Sequence, residues 1–468
     1  MRSLPWIRVA DRAPYFVDEQ GRPWHPIGHN DAITWPDLSP LFRRKDVGAV
    51  QAYFDNLSQR GVTVLRLMLE YSQVRHRYFE KPVGVFPAAM IQLWDDLFSM
   101  AEKSGVRLLI TPFDTFWTWL HWRHHPYNRV HGGPLDHPSN FLLCGPTRRA
   151  IKNRLEFVIR RWGGSGAFFA WDLWNEIHPA HAQGSADCFP EFISDLSTHV
   201  RGLEQQLYGR THPQTVSLFG PELDWKPHMP LAEPIFRHPD LDFASVHIYR
   251  HGTIDNPRNT IAAAADMGKI VRAHTQETPL GRPFFDSEHG PIHSFKDRKK
   301  TLSEDFDDEY FRHMQWAHLA AGGAGGGMRW PNRNPHALTA GMGEAQRSLA
   351  AFMPEIEWRT FRRKPLIATV STRAKLLVVA CGDENQAILY LLRAGPLTRH
   401  GLVDRSALPV VFEMNVPGLR PGPYTLTAWD TVRGVSIERL SVTSGTQGLL
   451  LATPAFVGDL ALAIKPAT

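Results

Sequence analysis

The chain has 468 residues, 43% of them hydrophobic and 21% charged, with a formal net charge of +5. That length suits two domains, one large, and the mild charge without a dense Lys/Arg run speaks against a nucleic-acid partner. Three widely spaced cysteines, Cys144, Cys188 and Cys381, form no CxxC pair, which speaks against a zinc ribbon or a disulfide framework and leaves room for one disulfide. No apolar run is long enough to span a membrane, and the opening "MRSLPWIRVADRAPYFVDEQ" lacks an apolar signal core. The expectation is a cytoplasmic protein, or a secreted one if a leader was removed.

Up to about Glu357, apolar runs alternate with amphipathic stretches. In chain order the runs are "HPIGHN", "VTVLRLML", "VRLLITPF", "AFFAWDLWNE", "TVSLFG", "DFASVHIY", "PFFDSE" and "GAGGGMRW". Between them, three- and four-residue apolar spacing predicts helices over 47–59, 87–103, 147–162, 189–207 and 304–321. In the third of these, Ile151, Leu155, Val158, Ile159 and Trp162 share one face. The stretch after "TVSLFG" is Pro-rich and predicts only a short helix. Eight strands alternating with helices fit a (β/α)8 TIM barrel. The competing doubly wound sheet announces itself with a Gly-rich turn after an early strand, and none is present. After Lys364 the sequence turns to short alternating runs with turns such as "CGDEN" and "RPGPY", which predicts a small all-β sandwich. The expected domains are a catalytic barrel over 1–357 and an accessory sandwich over 365–468.

Barrel function gathers at the C-terminal ends of the strands. Glu176 ends the fourth run in "WNE", and Glu288 ends the seventh in "DSEHG". Arg66 lies in the second run, Asp114 ends the third, His247 and Tyr249 end the sixth on one face, and Trp330 ends the eighth. Two glutamates facing each other across a mouth suit glycoside hydrolysis, which needs one protonated acid and one ionised carboxylate. Arg66 and the Tyr249 hydroxyl are placed to hold Glu288 anionic. Glu176, beside tryptophans and a second carboxylate, is expected to have a raised pKa. Asn175 is suited to a sugar hydroxyl.

The strand-four "WNE" and strand-seven "SEHG" resemble glycoside hydrolase clan A, whose members are retaining. Within it the chain is most similar to family 5, the cellulase and β-mannanase group. "FVDEQGRPWHPIGHN" resembles that group's hairpin and first strand, "RGVTVLRLML" its Arg-bearing strand, and "HIY" its His-x-Tyr pair. The similarity runs over roughly residues 14–350. It implies Glu176 as acid/base, Glu288 as nucleophile, and Arg66, Asn175, His247, Tyr249 and Trp330 around the sugar, with no cofactor or metal and a carbohydrate substrate of mannan or glucan type. The second strand departs from the common pattern with "RLML", and "TPFDTFW" resembles the mannanase-like members. The tail, with "WDT" and "GDLALAI", is similar to small sandwiches attached to many clan A enzymes.

Each of these residues has a blander reading: a salt-bridged glutamate, a structural arginine, a packed His–Tyr pair. The long loop from Asp114 to Gly145 carries Trp117, Trp119 and Trp122, which are either core residues or sugar platforms. Its cluster "HWRHHP" holds His121, His124 and His125, the first and last at the i, i+4 spacing of a metal pair, but no HExxH accompanies them, and loop surface or sugar contacts are the expected role. Glu70 and Asp172 are further acidic candidates, expected to be structural. A barrel that binds glycan without turnover, and a metal-dependent hydrolase, are the alternative classes.

Overall fold

β-Branched and apolar runs buried on both sides form the strands of a parallel sheet rather than alternating ones. In the computed structural model, which describes residues 3–11, 13–71, 77–226, 229, 231–249, 257–292, 301–370 and 375–467, that sheet closes on itself. Its strands are β1 Gly28–Asp31, β2 Val64–Met68, β3 Arg107–Thr111 and β4 Phe168–Asp172. There follow β5 Gln214–Phe219, interrupted at Val216, β6 Ala244–Ile248, β7 Phe284–His289 and β8 Met328–Arg329. Each strand pairs in parallel with the next, and β8 pairs with β1. The fold is a TIM barrel.

The helices are α1 Val47–Gln59, α2 Ala88–Ser104, α3 Gly145–Trp162, α4 Phe189–Tyr208, α5 Glu233–Phe236, α6 Thr260–Glu277, α7 Glu304–Ala320 and α8 Ala340–Phe352. Every predicted helix forms within two residues of its expected limits. The buried face of α3 carries Ile151, Leu155, Val158, Ile159 and Trp162 as its spacing requires. The Pro-rich stretch yields only Pro221–Trp225 and the four-residue α5.

The limits of the first and eighth strands differ from the sequence reading because of their glycines. The first strand starts at Gly28, where a Cβ would lie 1.7 Å from the Val64 carbonyl oxygen of β2. Only glycine admits that approach. The eighth strand is two residues long because Gly325 and Gly327, at φ +77° and +73°, bend the chain before it.

An N-terminal ribbon, Ile7–Val9, Phe16–Asp18 and Pro23–Trp24, closes the barrel floor. Phe16 stacks edge-on against Phe169, Phe243 and Phe285, with centroids 5.2–6.4 Å away. The C-terminal mouth is left as the open end.

The tail forms a six-stranded antiparallel sheet and a three-stranded one. The larger sheet is the middle layer. In its strand Ala387–Arg393, Ala387, Leu389 and Leu391 face the smaller sheet's core. Ile388, Tyr390 and Leu392 join the barrel's hydrophobic cluster. Period-two alternation thus sends both sets into apolar surroundings, and the strand reads as an unbroken apolar run. Across the same junction Asp459 accepts from Arg405 at 3.0 Å and meets Arg312 of α7 at 3.3 Å. All three cysteines are free. Among the described residues no helix is long and apolar enough to cross a membrane.

Candidate active site

Arg66, inward from the middle of β2 and 1% exposed, organises the mouth. Its Nη1 donates to Asn30 Oδ1 at 2.8 Å and to Glu288 Oε2 at 3.0 Å. Its Nη2 donates to Asp172 Oδ2 at 2.7 Å and Asn175 Oδ1 at 2.5 Å. One buried cation on β2 therefore holds groups from β1, β4, β7 and the loop after β4 in register. Asp172, at the end of β4, also accepts from the Ser217 amide and hydroxyl, both at 2.9 Å, which ties β4 to β5.

Glu176 does not end β4, as the sequence suggested. The strand stops at Asp172, and Glu176 lies four residues on, at φ +50°. A non-glycine residue in the left-handed region is uncommon and clusters at functional sites. Its amide donates to Ser217 Oγ at 3.1 Å, and its Oε1 lies 2.7 Å from His247 Nδ1. Burial raises its pKa to about 8; Glu222 and Asp172 add to the rise, and Arg66 and His178 oppose it. Glu176 is thus held protonated near neutrality, at the position where its carboxyl remains partly open to the cleft.

Glu288 lies within β7 and is aimed by a register shift between β6 and β7 that sets it beside His247. Oε1 accepts from the Tyr249 hydroxyl, and Oε2 from Arg66. Burial also raises its pKa, with Glu176 adding to the rise, while His247, Arg66 and Tyr249 oppose it. The expected separation of the two glutamates is therefore one of surroundings: the donors and positive charge are concentrated on Glu288. Burial lowers the His247 pKa to about 4, so the imidazole is neutral. His247 Nε2 lies 3.1 Å from Ser287 Oγ, which is linked to the Ser245 hydroxyl at 2.6 Å, so both ring nitrogens of the neutral imidazole are engaged.

One oxygen of Glu176, one of Glu288 and a nitrogen of His247 lie within 4.8 Å of one another. Among the described residues this is the group close enough to hold a metal ion. Both Glu288 oxygens already accept hydrogen bonds, and a cation there would meet the Arg66 guanidinium. The donor set is better matched to a reacting carbon between two carboxyls.

The remaining predicted residues surround this pair. Asp114 caps the loop helix Thr115–Leu120 by accepting from the Trp117 amide at 2.5 Å, and it accepts from Asn175 Nδ2 at 2.6 Å. It therefore orients Asn175 rather than facing the cleft alone. Burial raises its pKa to about 7. Trp117 and Trp330 line the cleft, a space of about 360 Å³, and Trp330 packs edge-on against Trp35 at 4.9 Å.

His121 stacks on Trp117, with centroids 5.8 Å apart. His125 is buried beside Glu70 at 3.5 Å and stacks on Trp122, away from the mouth. Trp122 is held by its Nε1 donating to the Asp136 carbonyl at 3.1 Å. Of the loop tryptophans, Trp117 and Trp119 reach the cleft.

Asn30, Phe219 and Glu222 belong to the site and were not singled out in the sequence. Glu222 lies in the loop helix after β5, with Oε1 2.7 Å from His178 Nε2 and 3.1 Å from Lys226 Nζ. A carboxylate just past a barrel strand, in "GPELDW", was the available signal.

With that geometry in view, comparison with known proteins is informative. No protein-family model matches the sequence. A mannan endo-1,4-β-mannosidase F of Aspergillus clavatus is 25% identical over 216 residues, 43% of this chain and 48% of that protein. A rice mannan endo-1,4-β-mannosidase 2 is 21% identical over 371 residues, 70% of this chain and 77% of that protein. Against the Aspergillus protein, the match spans about half of its length. A solved family 5 glycoside hydrolase from Bacteroides vulgatus has a TM-score of 0.64 at 12% identity, covering 100% of this chain and 95% of that one. The endo-β-1,4-mannanase from Thermotoga petrophila has a TM-score of 0.52 at 15% identity, covering 91% of this chain and 98% of that one.

The chain resembles the family 5 glycoside hydrolases of clan A. The family 5 likeness to the Bacteroides structure spans the barrel and the sandwich together.

Proposed function

We propose that this protein is a retaining glycoside hydrolase that cleaves β-linked, mannan-type glycosides at the mouth of its barrel. The observation that carries the reading is the placement of Glu176 and Glu288 oxygens within 4.8 Å in unequal surroundings. Retaining enzymes hold their carboxyls about 5–5.5 Å apart, and inverting ones leave roughly 6.5–9.5 Å for a water. The mannanase names of the sequence relatives support the sugar class.

In the first step a Glu288 oxygen attacks the anomeric carbon as the bond to the leaving oxygen breaks. Glu176 gives that oxygen its proton, and the alcohol departs. His247 Nδ1, 2.7 Å from Glu176 Oε1, holds the acid's carboxyl in place. In the second step Glu176, now ionised, takes a proton from water, and the resulting hydroxide displaces Glu288 from the sugar. Arg66 and Tyr249 stabilise Glu288 as it regains its charge. Asn175, fixed by Arg66 and Asp114, keeps one amide hydrogen for a sugar hydroxyl. Trp330 and Trp117 supply aromatic surface for the sugar ring.

The test is a covalent trap. Incubation with a 2-deoxy-2-fluoro-β-mannosyl fluoride, followed by intact mass and peptide mapping, is expected to place one sugar on Glu288. A label on any other carboxylate overturns the assignment of roles.

A further inference from the structure

The two strands that carry His247 and Glu288 fall out of step beside the reacting pair. Val246 of β6 lies opposite Asp286 of β7, but the next residue, His247, lies opposite Glu288, so Ser287 is an extra residue in β7. In a regular strand Ser287 and Glu288 would point to opposite faces. Here both reach His247: Ser287 Oγ lies 3.1 Å from Nε2, and Glu288 Oε2 lies 3.6 Å from Nδ1. The bulge therefore gives the barrel interior two consecutive side chains, the second of them Glu288.

A bulge interrupts the ladder, and the buried backbone groups it frees need other partners. The Ser287 carbonyl accepts from Asn30 Nδ2 at 2.9 Å. The Ile248 and Glu288 amides both donate to Asp286 Oδ1, at 3.2 and 3.1 Å. Asp286 Oδ2 lies 2.7 Å from His289 Nδ1, and His289 stacks on Phe311 of α7, so this pair sits on the helix side of the sheet. Burial lowers the His289 pKa well below its ordinary value, so the ring beside Asp286 is neutral. A fully buried carboxyl beside a neutral ring is costly unless its oxygens accept from well-placed donors. In an unbulged strand the ladder would consume the two amides, and Oδ1 would have neither to accept from.

We propose that Asp286 is a positioning residue for Glu288: one of its carboxyl oxygens stands in for the missing ladder carbonyl, fixes the bulge and so turns Glu288 toward the sugar. It acts through the Glu288 main chain and touches no substrate. Arg66 and Tyr249 hold Glu288 at its carboxylate, and Asp286 holds the same residue at its amide. The inference deepens the glycosidase reading and rests on Glu288 being the nucleophile.

The experiment is the covalent trap followed in time. With 2-deoxy-2-fluoro-β-mannosyl fluoride, a bond from a Glu288 oxygen to the anomeric carbon forms as the carbon–fluorine bond breaks, and fluoride leaves with the electron pair. Fluoride needs little help from an acid, so labelling reports the attack by Glu288 rather than the proton on Glu176. Intact mass against time gives the maximal labelling rate and the half-saturating concentration, per mole of protein folded by near-ultraviolet circular dichroism. Asp286→Leu replaces both oxygens with methyl groups and is expected to cut the maximal rate at least about 100-fold, with half-saturation within about threefold. Asp286→Asn keeps the Oδ1 acceptor and is expected to stay within about tenfold of the parent. Asp286→Glu moves the acceptor by one methylene and is expected to slow labelling at least about tenfold; it decides the question if Asp286→Leu does not fold. A residue that only stabilised the fold would lower Tm and leave the labelling rate of the folded protein unchanged. A parental rate in Asp286→Leu or Asp286→Glu, or Asp286→Asn as slow as Asp286→Leu, overturns the positioning role while the glycosidase reading stands. A parent that takes no label, or takes it elsewhere than Glu288, overturns both.

Discussion

Two buried arginines in this barrel each sit among carboxylates, and their neighbourhoods have opposite characters. Arg154 on α3, behind the third loop, donates to Glu80 Oε1 at 2.7 Å and lies 3.3 Å from Glu70. Glu70 also accepts from the Phe79 amide, and its pKa falls to about 2, burial being opposed chiefly by Arg154. Arg66 at the mouth faces Asp172, Glu288 and, at longer range, Glu176, and there the pKa of Glu176 rises to about 8. Behind the loop every carboxylate gains a compensating partner, and the cluster contributes to folding. At the mouth three carboxylates share one cation, and Glu176 keeps its proton near neutrality. Buried charge alone does not distinguish a functional site; the balance between acids and their partners does.

The largest expected effect separates the two clusters outright. Glu288→Gln should lower kcat by at least about 10³-fold with the fold intact by circular dichroism, since the attacking group is lost. Glu70→Gln should leave kcat of the folded protein close to the parent's. If both variants lost activity alike, the contrast between the clusters would collapse.

Next is stability. Arg154→Met leaves Glu70 and Glu80 buried without their cation and should cost roughly 3–5 kcal/mol in urea unfolding. An unchanged midpoint would mean the cluster does not brace the loop.

The pH dependences run in opposite directions. Glu176 has a native pKa of about 8, above its unfolded value. Its contribution is complete at low pH and is lost as pH rises from the unfolded pKa through about 8. Glu176→Gln should therefore raise Tm relative to the parent at pH 8 and not at pH 4, and the alkaline limb of kcat/KM should fall near pH 8. Glu70 has a native pKa of about 2. Its stabilisation is present above the unfolded pKa and is lost as pH falls through about 2, so Glu70→Gln should flatten the acid side of the stability curve. This last difference is the smallest, and thermal melts at pH 2, 3 and 5 measure it.

The sequence alone determined the barrel, because its information is periodic. Strands buried on both sides read as apolar runs, and helices against them carry one apolar face. Most residues of the mouth also stood on or just past strands, where the fold must place them. Arg66, Glu288, His247 and Tyr249 lie on or just past strands whose limits are set by local pattern, and their neighbourhood followed. What tertiary structure alone decided involves contacts between distant segments. Asp114 reaches Asn175 across 61 residues, and Glu222 meets His178 across 44. No local pattern encodes either pair. The left-handed turn that presents Glu176 comes from the same source, since its amide is held by Ser217 of the neighbouring strand. The fate of His125 was decided there too: its spacing resembled a ligand pair, but the fold set it beside Glu70, which is itself paired with Arg154 of α3. Periodicity fixes which side of an element is buried, whereas the partner that meets a polar group depends on closure of the whole barrel.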